Sequence, residues 1–118
     1  MAEVTLYHNP RCSSSRAALA LVQASGVAFE VVDYRREPLD RAAFVALLAM
    51  LPDAPGDLVR RDPDFAASGL TDADVVTADQ VASVLAEHPA LMQRPVLVRG
   101  PQAIIGRPVE RVAAFLAT

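Results

Sequence analysis

The chain has 118 residues, a mass of 12.6 kDa and a net charge of -3, and 53% of its residues are hydrophobic. This length fits a single domain across residues 1–118, because domains typically run to about 100–150 residues. Acidic residues outnumber basic ones, 14 to 11, so binding to nucleic acid is not expected. No apolar run reaches the ~18–20 residues of a membrane span, so we expect a cytoplasmic protein without a membrane partner.

The chain contains a single cysteine, Cys12, and no lysine. One thiol cannot close an internal disulfide, so any redox chemistry must recruit its second thiol from another molecule. Because all 11 basic residues are arginine, any anion site must be built from guanidinium groups, which bind oxyanions through paired donors.

The first third of the chain predicts a strand, a helix and a second strand. An apolar run at Val4–Tyr7 predicts a buried strand that ends at the turn-forming residues Asn9 and Pro10. Helical spacing follows at Ala18, Leu21, Val22 and Ser25. Gly26 is positioned to end that helix, and Val27–Val32 predicts the second strand. Short connections between these elements indicate a parallel βαβ unit.

The middle of the chain predicts an insertion of helices. Asp40 is positioned as the N-cap of one helix, and Thr77–Gln80 has the capping-box pattern of another, which ends near His88. Between them, Asp57 is positioned to cap a short helical turn across Leu58–Arg61.

The last third predicts two strands and a helix. Val96–Val98 and Ala103–Ile105 read as a β-hairpin around Gly100, and Pro108 suits the first position of a final helix. The order β-α-β, helices, β-β-α is that of an α/β, thioredoxin-like fold with helices inserted in the middle.

The neighbours of Cys12 favour a reactive thiolate over a small buried side chain. The thiol lies in a polar segment, residues 8–16, where a strand gives way to a helix N-terminus. Backbone N–H groups and the helix dipole stabilise a thiolate at that position. Arg11, Arg16 and a protonated His8 would add to the effect.

Three further arginines stand beside residues that shape the backbone. Arg94 precedes Pro95, Arg107 lies between Gly106 and Pro108, and Arg60 belongs to the short turn capped by Asp57. Spacing alone does not distinguish an anion site from solvated surface charges. A metal site is not expected, because His8 and Cys12 form at most a pair of ligands and His88 is far away in the sequence.

Several spaced motifs resemble those of the glutaredoxin-dependent arsenate reductases, the ArsC-like family with a thioredoxin fold. The similar segments are residues 4–16, 58–61, 88–96 and 105–108, which are distributed in the same order along nearly the whole chain. The resemblance implies that the Cys12 thiolate attacks arsenate held by Arg60, Arg94 and Arg107, with His8 tuning the thiolate. It also implies supporting roles for Asn9, Ser15, Arg16 and Pro95, with Pro95 in the cis form.

The same resemblance implies how the enzyme is reduced. In such enzymes glutathione is a co-substrate that takes up the arsenic adduct on cysteine, and glutaredoxin resolves the mixed species to release arsenite. No bound cofactor is implied. The length of the chain and the motif Arg11-Cys12-Ser13 resemble those of a shorter, reductase-like subgroup. For that subgroup, another oxyanion or a glutathione mixed disulfide is an alternative substrate.

The residues that follow Cys12 argue against two other classes of protein. The phosphatase-like arsenate reductases need Cys-x5-Arg, and the position concerned is Ala18, which excludes that class. Regulators of the same fold that bind RNA polymerase sense oxidation through Cys-x-x-Cys, and Ser15 stands where the second cysteine would be. An adaptor that uses only the surface of the fold, without arsenate turnover, stays an alternative.

Overall fold

The computed structural model describes residues 2–117, and the chain divides into two compact units. One unit consists of the residues up to Glu37 together with those from Arg94 onwards, and the other is Pro38–Gln93. The strands belong to the first unit and the helical insertion to the second, as the sequence predicts. Within residues 2–117, no helix is long and apolar enough to cross a membrane.

The first unit is built on a four-stranded sheet in the order β2-β1-β3-β4. Its strands are β1 Val4–His8, β2 Phe29–Asp33, β3 Val96–Arg99 and β4 Gln102–Ile105. β1 runs parallel to β2 and antiparallel to β3, so that Leu6 lies opposite both Val31 and Leu97. β3 and β4 form the predicted hairpin, and Gly100 between them takes a φ of 60°, which favours glycine.

Two helices cover this sheet and complete its core. α1 spans Ser13–Ser25 and ends at Gly26, whose left-handed φ of 77° terminates the helix. The last helix of the chain, α5, spans Glu110–Leu116 and packs against α1. The buried core of the unit consists of Val4, Leu6, Ala18, Val22, Leu97, Val112 and Phe115. The predicted βαβ unit is therefore confirmed.

The second unit consists mainly of helices. They are α2 Arg41–Met50, α3 Pro63–Ala67 and α4 Ala78–Glu87, together with three short 3-10 turns. The Asp40 carboxylate accepts a hydrogen bond of 2.8 Å from the N–H of Ala43, and Thr77 and Gln80 make both bonds of a capping box. These capped helices, α2 and α4, pack against each other. Both predicted N-caps are confirmed.

The structure corrects the prediction for Asp57. The short helical turn spans Pro55–Leu58, so Asp57 lies inside it, and Ala54 is its N-cap. Proline at the first position fixes φ for a turn that starts earlier than predicted. Val59 and Met92 instead form a β-bridge, and the N–H of Arg60 donates to the carbonyl of Leu91 at 2.8 Å. Arg60 therefore lies in an extended segment.

Two other boundaries also differ. The second strand begins at Phe29 rather than Val27, because the first backbone bonds between β1 and this segment are made to the carbonyl of Ala28. The final helix begins at Glu110 rather than Pro108. Its approach is a 3-10 turn, in which Arg111 N–H bonds to Pro108 O at 3.0 Å.

The short helix α3 was not predicted. Its N-cap is Asp62, whose side chain accepts from the N–H of Phe65 at 3.1 Å, and Pro63 occupies the first helical position. Both residues are common helix-start signals, so the sequence carried the information.

Candidate active site around Cys12

Hydrogen bonds within a tight turn hold the loop between β1 and α1. The N–H of Cys12 donates to the carbonyl of Asn9 at 3.0 Å, and the Asn9 side chain accepts from the N–H of Arg11 at 3.0 Å. The N–H of Asn9 donates to the hydroxyl of Ser15 at 3.3 Å, and Ser15 is fully buried. The Arg16 guanidinium closes the loop by donating to the carbonyl of Pro10 at 3.0 Å. These bonds fix the position of the partly exposed Cys12.

Cys12 is the N-cap residue of α1. Its backbone is extended, with φ -95° and ψ 125°, and its carbonyl accepts the first helical bond, from the N–H of Arg16 at 3.0 Å. The side chain makes no N-cap hydrogen bond, but the backbone N–H groups of Ser14 and Ser15 act to lower the pKa of the thiol. The thiol therefore lies at the N-cap position, beside the free N–H groups of the first turn.

Two arginines from the other end of the chain also reach the sulfur. Nη2 of Arg107 lies 3.3 Å from Sγ of Cys12, and the Arg94 side chain donates a hydrogen bond to the same sulfur. Nε of Arg107 donates to the carbonyl of Arg94 at 2.7 Å, which links the two residues. Cys12, Arg94 and Arg107 thus form one group, which we call the thiol cluster.

Gly106 and Pro95 set the position of Arg107. The Arg94–Pro95 peptide is cis, as predicted, and the N–H of Gly106 donates to the carbonyl of Pro95 at 2.8 Å. A Cβ at Gly106 would fall 2.8 Å from Cγ of Pro95 and 3.0 Å from Cγ2 of Val112. Only glycine allows this close approach, which brings Arg107 beside the thiol.

The surroundings of Cys12 favour its thiolate. Burial alone would raise the pKa of the Cys12 thiol. The backbone N–H of Ser15, the Arg94 side chain, the N–H of Ser14 and the charge of Arg107 act in the opposite direction and bring the pKa below its ordinary value. The surroundings therefore favour the nucleophilic form of the sulfur.

His8 is a neutral neighbour rather than a cation. It is the last residue of β1 and only 7% exposed, and burial is the main cause that lowers the pKa of its imidazole. Asp33 raises that pKa in part, while Arg16 lowers it further. Since the ordinary pKa is about 6.5, His8 is mostly uncharged at pH 7. The added positive charge suggested by the sequence is therefore absent.

Tyr34 is a buried neighbour of the thiol cluster that sequence reasoning missed. Its ring is 1% exposed, and burial raises the pKa of its hydroxyl, although Arg94 acts to lower it. Tyr34 directly follows β2, at the carboxyl end of a parallel strand, where functional residues often gather. The position of Tyr34 directly after the predicted second strand could therefore have identified it from the sequence.

Arg60 belongs to the second unit, and its described contacts lie there. Its Nη1 lies 3.6 Å from a carboxylate oxygen of Asp62. The neighbouring Arg61 bonds to Asp72 at 3.1 Å and to the carbonyls of Gly56 and Val59. The role of Arg60 in holding an oxyanion stays a prediction.

The thiol cluster combines a thiolate with two guanidinium groups. Guanidinium donors bind oxyanions through paired, charge-assisted hydrogen bonds, and a thiolate is both a nucleophile and a reductant. Among residues 2–117, no group of three or more His, Cys, Asp or Glu side chains is placed to hold a metal ion. The thiolate and the two guanidinium groups together are suited to thiol chemistry on a small oxyanion.

Known proteins are similar to this chain in sequence and fold. Residues 7–115 match the model of the ArsC family. The chain is 36% identical to an arsenate reductase of Neisseria meningitidis, covering 98% of this chain and 100% of that protein. Its fold is similar to that of an arsenate reductase from Vibrio cholerae, with a TM-score of 0.85, 32% identity and coverage of 97% and 98%. A putative arsenate reductase from Yersinia pestis gives a TM-score of 0.83, 38% identity and coverage of 94% and 98%.

Proposed function

The chain belongs to the ArsC family, and on that premise we propose that it reduces arsenate to arsenite through the thiolate of Cys12. The observation that carries the proposal is the 3.3 Å contact between Nη2 of Arg107 and Sγ of Cys12. This contact puts an oxyanion donor beside the nucleophile. The relatives named as arsenate reductases support the choice of oxyanion.

The first step is attack of the Cys12 sulfur on arsenic. A sulfur–arsenic bond forms, one arsenic–oxygen bond breaks, and the departing oxygen leaves as water after protonation. Arg94 and Arg107 hold the remaining oxygens, and Arg60 is proposed as a third donor. His8, buried and neutral, positions the start of the loop that carries Cys12. No metal or bound cofactor takes part in this step.

The second step needs a thiol from outside the chain, because Cys12 is the single cysteine of the sequence. We assign this role to glutathione, whose sulfur attacks the Cys12 sulfur. The electron pair of the sulfur–arsenic bond stays on arsenic, which leaves as arsenite, and Cys12 remains as a mixed disulfide. A glutaredoxin thiolate then attacks the glutathione sulfur and releases the Cys12 thiolate. In total, two thiols supply the two electrons, and one oxygen leaves as water. Since this reductant system is cytoplasmic, the proposal includes a cytoplasmic location.

The proposal is tested by arsenate-dependent NADPH oxidation in the presence of glutathione, glutaredoxin and glutathione reductase. Wild type should oxidise NADPH and release a matching amount of arsenite, and Cys12→Ser should reduce both to background. Arg41→Ala, which changes an exposed arginine of the second unit, serves as the matched control and should retain full activity. Equal turnover by wild type and Cys12→Ser would refute the proposal.

A further inference from the structure

A cleft of about 310 Å³ lies beside the turn that carries Cys12. Its lining residues are Asn9, Pro10, Arg11, Asp33, Arg35 and Arg36, and we call it the arginine cleft. Small-molecule sites commonly measure about 300–1,000 Å³, so the cleft is large enough for a small ligand. All of its lining belongs to the first unit.

Three guanidinium groups and one carboxylate define the charge of the arginine cleft. Asp33 ends β2, and its Oδ1 accepts from the N–H of Arg35 at 3.1 Å. Nε of Arg36 lies 4.0 Å from Oδ2 of Asp33, which is a long distance for an ion pair, and 87% of the Arg36 side chain is exposed. Arg11 and Arg35 are also exposed. The carboxylate is therefore fixed by the backbone, while the cations present their donors to solvent.

The proposed attack on arsenate does not use Arg11, Arg35 or Arg36. Arg94 and Arg107 already contact the sulfur, and neither lines the arginine cleft. The cleft and the thiol are nevertheless joined through the Asn9–Cys12 turn, whose closing hydrogen bond measures 3.0 Å. The cleft therefore adjoins the turn that carries the nucleophile, and Arg94 and Arg107 do not line it.

We infer that the arginine cleft binds the charged ends of the external thiol, a small peptide with two carboxylates and one ammonium group, as in glutathione. This inference rests on the proposed function, which requires such a thiol at Cys12. Guanidinium groups pair with carboxylates through two parallel hydrogen bonds, so Arg11, Arg35 and Arg36 suit the two carboxylates. The Asp33 carboxylate suits the ammonium group. Because the cations are exposed, the binding is weak, as befits a co-substrate that must leave.

The kinetic test compares two thiols in single-turnover reduction of the Cys12–arsenate adduct. In the double variant Arg35→Ala/Arg36→Ala, the concentration of glutathione for half-maximal rate should rise about 3- to 10-fold, as expected for the loss of exposed ion pairs. The rate with 2-mercaptoethanol, which carries no charge, should not change. Arg41→Ala is the control and should match wild type with both thiols. An unchanged glutathione dependence, or an equal loss with both thiols, would overturn the inference.

A binding measurement separates this inference from the proposed function. S-methylglutathione cannot react, so its binding to the Cys12→Ser protein is followed by chemical shift changes in NMR spectra without any turnover. We expect shifts at Arg11, Arg35 and Arg36, and in the double variant we expect a weaker shift at Arg11. Absence of these shifts overturns the inference even if arsenate is reduced, and their presence supports it even if arsenate is not the substrate. If the double variant changes only the dependence on glutaredoxin, the cleft serves a protein partner and the inference is wrong.

Discussion

The two compact units use arginine in different ways. In the second unit, arginines pair with aspartates at 3.1 to 3.6 Å, the pairs being Arg41–Asp79, Arg60–Asp62 and Arg61–Asp72. In the first unit, Arg99 also pairs with a carboxylate, that of Glu3 at 2.6 Å, but Arg94 and Arg107 direct their donors at the sulfur of Cys12. A carboxylate partner offsets the charge of an arginine, whereas a thiol partner is ionised by it. The function of an arginine in this chain therefore depends on what the fold places opposite its guanidinium group.

The largest effect is expected from Arg107→Ala. The variant removes a charged donor from the Cys12 sulfur and from the proposed arsenate site, which is worth about 1.5–3 kcal/mol, or about 10- to 150-fold. The pKa of Cys12 should rise, and KM for arsenate should increase by that factor. Thiol titration measures the pKa of Cys12, and the coupled assay measures KM for arsenate. Arg61→Ala, in the second unit, should leave the pKa of Cys12 unchanged, and equal pKa shifts in both variants would contradict the comparison.

A matched pair of glycine variants separates stability from thiol activation. Gly106→Ala places a Cβ 2.8 Å from Cγ of Pro95, and Gly56→Ala places one 2.6 Å from the carbonyl oxygen of Val75. Each should lower the free energy of unfolding by about 1–3 kcal/mol, as overpacking does. Only Gly106→Ala should also raise the pKa of Cys12, because it displaces Arg107. Denaturant melts and thiol titration of both variants check this, and a pKa shift in Gly56→Ala would count against it.

A smaller effect, confined to stability, is expected from Thr77→Ala. The change removes the hydroxyl that accepts from the N–H of Gln80 at 3.2 Å at the start of α4. Loss of such an N-cap costs about 1 kcal/mol, which a denaturant melt resolves. The rate of thiol alkylation at Cys12 should match that of wild type, and a slower rate would show that the capped helix affects the thiol cluster.

The smallest effect concerns His8 and pH. Burial lowers the pKa of its imidazole in the folded protein, so between the ordinary value of about 6.5 and the folded value the unfolded chain binds more protons. The free energy of unfolding should therefore fall as the pH drops below about 6.5. His8→Gln should reduce this slope, as measured by urea melts across the range. An unchanged slope would mean that His8 is protonated alike in both states.

Local signals in the sequence were sufficient for much of the fold. Asp40, Thr77 and Gly26 act within one helical turn of their own positions, so their roles as caps could be predicted. Asp57 and Pro108 also carry helix-start signals, yet a β-bridge and a 3-10 turn override them. The β-bridge joins Val59 to Met92, which is distant in sequence, so no local pattern records it. The 3-10 turn at Pro108 is local and moves the start of the helix to Glu110.

The same distinction applies to the candidate site. The position of Cys12 at a helix N-terminus follows from the neighbouring strand and helix, and it was predicted. Its contact with Arg107 joins residues 95 positions apart, so only the family resemblance pointed to it. The burial that leaves His8 neutral and places Tyr34 beside Arg94 depends on the packed core and could not be inferred from spacing.

The central claim is that the first unit holds Cys12 as a thiolate, and its most direct test is the pKa of that residue. The rate of alkylation by iodoacetamide, measured from acid to alkaline pH on the native protein, reports the thiolate fraction of the single cysteine. We expect the alkylation rate to fall with decreasing pH around a midpoint below the free-thiol value of about 8.5. A midpoint at or above about 8.5 would contradict the account.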